Sequence, residues 1–135
     1  MSKGALGITR VVETLDLILT SPLVRAYETA TIVANAFHAP SIVQVCKELS
    51  PGSSMKQLAA VVGKFKQFNR IMLVGHEPDL SYFGSSILGT RSSVLEFKKG
   101  SLCCIEATSI PPPREGLLQW HLTPKQLREL ARKER

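Results

Sequence analysis

The chain has 135 residues, 44% hydrophobic and 6% aromatic, and its 17 lysines and arginines outnumber 11 aspartates and glutamates for a formal charge of +6. That length supports one domain around a single core rather than two, and its apolar runs, such as Ile71 to Val74, fall far short of the roughly 18 to 20 residues that cross a bilayer. Met1-Ser2-Lys3-Gly4-Ala5 lacks the parts of a secretory signal, and three cysteines, adjacent at 103 and 104, form no disulfide or zinc pattern, so a cytoplasmic protein with buried thiols is expected.

Lys3 to Leu15 places apolar residues at Leu6, Ile8, Val11, Val12 and Leu15, a spacing that predicts a short amphipathic helix. Leu17-Ile18-Leu19-Thr20 reads as a strand ended by Ser21-Pro22, where serine can cap a helix and proline suits its first turn. Leu23, Ala26, Tyr27, Ala30, Val33, Ala34 and Phe37 then share one helical stripe, which stops near His38-Ala39-Pro40. Ser41 to Val45 is expected as a strand, Met55 to Phe68 as a helix with Leu58, Val61, Val62 and Phe65 inward, and Ile71 to Val74 as a continuous buried strand. After Gly75-His76-Glu77-Pro78-Asp79 a helix over Leu80 to Leu88 ends at Gly89. In the last third, Ser93 to Phe97 and Leu102 to Ala107 flank Lys98-Lys99-Gly100-Ser101 as a hairpin, Ile110 to Arg114 is a proline loop, and Leu117 to Leu122 is a strand before a helix from Pro124. Strands alternating with helices predict a layered α/β sandwich with a mostly parallel sheet.

A basic protein invites a nucleic-acid reading, but the charges are dispersed. Only Arg128, Arg132, Lys133 and Arg135 cluster, two glutamates lie between them, and few aromatics offer stacking platforms. A solvated terminal helix is expected there, with no nucleic-acid partner and no membrane partner.

Two turns could carry chemistry. Ser21-Pro22-Leu23-Val24-Arg25 puts a guanidinium in the first turn of a helix whose dipole favours an anion. Gly75-His76 puts an imidazole at the end of a strand, behind a glycine that permits close backbone approach. If the two strands are neighbours, arginine and histidine converge on a phosphate receptor. Taken singly, Arg25 also fits a surface helix arginine and His76 a hydrogen-bonded structural histidine.

Ser21-Pro-Leu-Val-Arg-Ala-Tyr-Glu-Thr-Ala30 resembles the S-P-x-x-R-A-x-x-T-A segment of the histidine phosphatase superfamily, and Val74-Gly-His-Glu-Pro78 resembles that family's second-histidine turn. The ending Trp120-His-Leu-Thr-Pro-Lys-Gln-Leu-Arg128 is similar to that of SixA-type phosphohistidine phosphatases, so the resemblance runs along nearly the whole chain. It implies a phosphoglycerate mutase-like three-layer α/β sandwich that removes phosphate from a phosphohistidine-containing signalling or phosphotransfer protein, without metal or other cofactor. Arg25 would clamp phosphoryl oxygens, and His76 would be the second pocket histidine, neutralising charge as the group moves. Ser21 would support them or cap its helix, the latter being favoured. The short chain leaves little room for inserted lobes over the pocket, which suits a protein substrate.

The resemblance also implies an Arg-His-Gly motif with the nucleophilic histidine after a first, central strand, and no Arg-His-Gly occurs in this sequence. An amino-terminally truncated single domain is expected, inactive as written, with the strands ending at Val74 and near Val94 to Phe97 left without the neighbour between them. The alternative is a non-catalytic phosphate- or phosphohistidine-binding module. His38, beside Pro40, and His121, beside Trp120, are expected at surface or packing positions, and Glu77 is not assigned as proton donor.

Overall fold

The computed structural model describes residues 2–108 and 116–132. The elements in order are α1 (Ser2–Val11), β1 (Leu17–Thr20), α2 (Val24–Ala36), β2 (Val43–Val45), α3 (Met55–Gly63), β3 (Ile71–Val74), α4 (Asp79–Ile87), β4 (Leu102–Glu106), β5 (Leu117–Leu122) and α5 (Pro124–Arg132). The larger sheet is parallel with the order β2-β1-β3, and Thr20 lies opposite both Val45 and Val74. As its middle strand, β1 is buried at all four residues, which suits a Leu-Ile-Leu run.

Alternation along β1 divides the core. Ile18 joins Ala5, Ile8, Ala30, Val33 and Leu127, whereas Leu17 and Leu19 join Leu58, Val62, Phe83 and Ile87. Helices α1, α2 and α5 therefore cover one face and α3 and α4 the other, the three-layer sandwich expected from the sequence. Each fully buried leucine or isoleucine in that middle strand contributes about 1.5–3 kcal/mol.

The helical faces are set by small residues more than the apolar pattern suggests. In α1 the buried positions are Gly4, Ala5, Gly7 and Ile8, while Leu6 and Val11, expected inward, are exposed. The reason is the close approach of α5: a Cβ on Gly7 would fall 2.6 Å from the Leu127 carbonyl carbon. The helix also ends at Val11 rather than Leu15. Beyond it the Asp16 carboxylate accepts the backbone N–H groups of Asn69 and Arg70, which commits this stretch to aligning β1 with β3. In α2 the buried face is Ala26, Ala30, Val33 and Ala34, so the helix lies near the sheet, and Leu23 and Tyr27 stand outside that stripe at its first turn. Helix α3 stops at Gly63, five residues before the expected Phe68, as the Lys64 and Phe65 N–H groups tighten onto Val61 and Val62. Ser54, unremarked in sequence, caps α3 by accepting the Gln57 N–H at 3.2 Å. The expected strand from Ser41 begins only at Val43, after a 3-10 turn over Pro40–Ile42.

Two strand expectations are corrected. Ile71, Met72 and Leu73 are half-buried rather than buried, because among the described residues β3 pairs with β1 alone, at one edge of the sheet. Ser93 to Phe97 is not a strand and makes no hairpin with β4. A turn does form, with Gly100 at φ 86 and Ser101 N–H on the Lys98 carbonyl, but β4 pairs antiparallel with β5. Lacking a ladder partner, the segment is held by α4 instead: Val94 N–H donates to Ser85 Oγ, and Leu95 is buried against Gly84.

Helix α5 begins with reciprocal hydrogen bonds between Thr123 and Gln126 and buries Leu127, while Arg128 and Arg132 face solvent. The proline run Ile110–Arg114 lies outside the described residues, as do Lys133 and Arg135. Among the described residues no helix is long and apolar enough to cross a membrane.

Candidate functional site

Adjacent parallel strands bring their following turns to one end of the sheet, where α/β folds bind ligands. β1 leads into Ser21 and β3 into Gly75-His76, and the Ser21 N–H donates to the Val74 carbonyl at 2.9 Å, which ties the two turns together. There His76 Nε2 and Ser21 Oγ meet at 2.9 Å across 55 positions of sequence. Ser21 is wholly buried and His76 half-buried. A buried hydroxyl needs partners, and this one also accepts the Leu23 N–H at 3.2 Å.

The favoured capping role for Ser21 is thereby corrected. The residue at the cap of α2 is Leu23, with no side-chain hydrogen bond, and Ser21 lies two residues before that cap, joining the helix lead-in to the imidazole. The first turn of α2 consequently keeps free N–H groups and carries no acidic residue. Arg25 is its second residue and is exposed, on the turn that follows Ser21. The amino-terminal end of α2, the exposed Arg25 and the His76 imidazole thus lie on two turns linked at one end of the sheet.

Gly75 is closely packed, since a Cβ there would lie 3.3 Å from Leu49 Cδ2 and 3.4 Å from Leu80 Cδ2. Next to His76, the Glu77 carboxylate accepts the Ser81 N–H at 3.1 Å and also bonds the Ser81 hydroxyl. It is thus occupied in closing the first turn of α4. A contact that the sequence did not reveal sits alongside: Asp79 Oδ2 accepts the Gly52 N–H at 2.8 Å and pins the 50–54 loop to the start of α4. Its partners are 27 residues apart, outside any local pattern, whereas the Ser54 cap was signalled by Ser54-Met-Lys-Gln57.

The remaining histidines lie elsewhere. His38 is exposed at the far end of α2, in the left-handed region at φ 56, and a helix of 13 residues separates it from the Ser21 turn by about 20 Å. His121 is on β5 opposite Cys103, with its ring against Phe97 at 5.0 Å between centroids. Among the described residues no three histidine, cysteine, aspartate or glutamate side chains gather as a metal site would need.

Cys46 is buried at the end of β2, whereas Cys103 and Cys104 are only half-buried, less than expected. Desolvation raises all three thiols, most of all Cys103, to about 11, with the neighbouring Cys104 adding to the effect. At pH 8 about one Cys103 in a thousand is then thiolate, so iodoacetamide labelling of the folded chain should be slow and should accelerate as pH climbs toward 11. Labelling at the rate of a free cysteine at pH 8 would contradict this burial.

No family model matches the chain. An uncharacterized protein of Picosynechococcus sp. (strain ATCC 27264 / PCC 7002 / PR-6) is 36% identical over 88 residues, which amount to 63% of this chain and 53% of that protein. The chain thus spans about half the length of the curated relative it matches. Among solved structures, the protein histidine phosphatase SixA complexed with tungstate superposes with a TM-score of 0.79 at 18% identity, covering 93% of this chain and 80% of its own. A candidate phosphohistidine phosphatase SixA from Agrobacterium tumefaciens gives 0.69 at 19% identity, covering 90% and 76%. The fold is that of the SixA proteins.

Proposed function

We propose that this chain carries the phosphate-receiving side of a SixA-like phosphohistidine phosphatase site, with a phosphohistidine-bearing protein as its partner. The observation that carries the reading is the 2.9 Å pairing of His76 Nε2 with Ser21 Oγ at the shared end of β1 and β3, in a SixA-like fold. In this reading Arg25 and the free N–H groups of α2 hold non-bridging phosphoryl oxygens. His76, oriented by Ser21, gives them a hydrogen bond and offsets charge as the group moves. The tungstate bound by the SixA protein is a tetrahedral oxyanion, the shape such a pocket would receive.

Covalent phosphohistidine chemistry needs a second histidine as acceptor, and the other two in this chain are His38, about 20 Å away along α2, and His121 on β5. We therefore infer that the 135 residues bind the phosphoryl group without turning it over. Removing a nucleophile from a hydrolase lowers kcat on the order of 10⁶-fold and leaves binding and electrostatics behind. The same absence favours a second reading, a non-catalytic phosphohistidine-binding module.

Phosphate release from a phosphohistidine protein separates them. Release only by a chain extended at its amino end with a strand bearing Arg-His-Gly supports the phosphatase site, and release by neither supports the module. Release by the 135-residue chain itself would overturn both and point to His38 or His121.

A further inference from the structure

The Ser21 hydroxyl and the His76 ring must share out their hydrogens, and burial leaves them one way to do it. Ser21 is wholly buried, so solvent does not reach its hydroxyl. Among the described residues its Oγ has two partners: the Leu23 N–H at 3.2 Å, which can only donate, and His76 Nε2 at 2.9 Å. The adjacent Thr20 hydroxyl is engaged elsewhere, donating to the Ser21 carbonyl at 3.1 Å. A hydroxyl has one hydrogen to give and two lone pairs to accept with. Leu23 uses a lone pair, so the hydroxyl hydrogen has a single acceptor within reach, His76 Nε2. The reverse arrangement, with Nε2–H donating to Oγ, would bring two donors to that oxygen and leave its own hydrogen buried without an acceptor, the costly case for a polar group.

A neutral imidazole carries its proton on one nitrogen, and the hydrogen bond made by the other decides which. With Nε2 accepting from Ser21, the proton sits on Nδ1. Among the described residues Nδ1 has no hydrogen-bond partner, and the ring is half-buried, so this N–H is free for a ligand. We propose that Ser21 is a positioning residue that holds neutral His76 as its Nδ1–H tautomer, making Nδ1–H the donor that a phosphoryl oxygen meets. The tautomer follows from the buried hydroxyl alone, whereas the ligand rests on the phosphate-site reading above. Free histidine favours the opposite tautomer, which would turn the bare lone pair of Nδ1 toward an oxygen that can only accept. Ser21 therefore acts on the phosphoryl group without touching it.

Long-range proton–nitrogen NMR correlation of the ring at about pH 9, above the ordinary histidine range, reads the tautomer directly, because an unprotonated ring nitrogen resonates far downfield of a protonated one. The His76 signals are identified by their loss in His76→Asn. Wild type should show Nδ1 protonated and Nε2 bare. Ser21→Ala should move the ring toward Nε2–H and weaken inorganic phosphate, titrated by calorimetry at the same pH, about tenfold or more, the loss expected for one hydrogen bond to a charged partner. Ser21→Thr, which keeps the hydroxyl, should restore both. The wild-type spectrum decides the tautomer without any variant having to fold. A protonated Nε2 in a wild type that binds phosphate overturns the proposal and leaves the phosphate site standing, as does an alanine variant with tautomer or phosphate affinity unchanged. A wild type that binds no phosphate overturns the phosphate-site reading, and the donor role with it, whichever tautomer the ring holds.

Discussion

Arg25→Ala should abolish measurable phosphate binding while leaving the protein as stable as before. Arg25 is exposed on the first turn of α2, so truncation opens no cavity, and surface changes of this kind stay within about 0.5 kcal/mol. Its effect on the ligand is another matter. Hydrogen bonds to a charged partner contribute about 1.5–3 kcal/mol, or roughly 10- to 150-fold in affinity, and a guanidinium can supply two of them in parallel. A site open to solvent has little affinity in reserve, so that loss takes binding below detection in a phosphorus NMR or calorimetric titration. Arg25→Lys keeps the charge but not the planar fork and should fall between the two. Unchanged binding in the alanine variant would remove Arg25 from the site and leave His76 as a structural histidine hydrogen-bonded to Ser21.

Gly7→Ala tests the packing, and its expected sign is the reverse of the usual one. In a free helix alanine is preferred over glycine by about 1 kcal/mol. Here the new Cβ would overlap the Leu127 carbonyl group and come within 3.0 Å of the Leu127 Cα, all backbone of the neighbouring helix, which cannot step aside as a flexible side chain would. Helix α5 must shift, and Leu127, wholly buried in the cluster with Ile8 and Ile18, shifts with it. Overpacking costs about 1–3 kcal/mol. Because the overlap is with backbone, the upper end of that range applies, and with the propensity gain subtracted the variant should still lose about 2 kcal/mol, a fall of several degrees in Tm by thermal circular dichroism. A higher Tm would mean that α1 and α5 are farther apart than described.

What could be read from the sequence depended on the range of the interaction. Strands β1 and β3 were legible residue for residue because Leu17 to Thr20 and Ile71 to Val74 are short apolar runs with clear stops at Ser21-Pro22 and Gly75-His76. Their adjacency was only a condition in the argument, and the register of Thr20 with Val74 supplies it. Apolar periodicity misjudged α1, where Leu6 and Val11 carry the pattern but Gly4 and Gly7 are buried and Gly7 carries the contact with Leu127. Hydropathy registers greasy side chains, whereas close helix packing depends on their absence. The hairpin failed for a related reason: Ser93 to Phe97 has strand composition, but a strand exists only where a neighbour completes its ladder, and Ser85 on α4 takes that backbone instead. At the site, the SixA resemblance brought Ser21, Arg25 and His76 forward together. That Ser21 would turn from capping to the imidazole depended on a partner 55 positions away.

The bond from Gly52 to Asp79 gives the site a built-in reporter. Amides in exposed glycine turns ordinarily exchange with deuterium almost at once, and that of Gly52 is held only by a carboxylate at the head of α4, three residues beyond His76. Its protection therefore tracks the local opening of the His76 turn rather than the stability of the whole chain. Ligand that steadies the turn would slow exchange at Gly52 even where the melting temperature is unmoved.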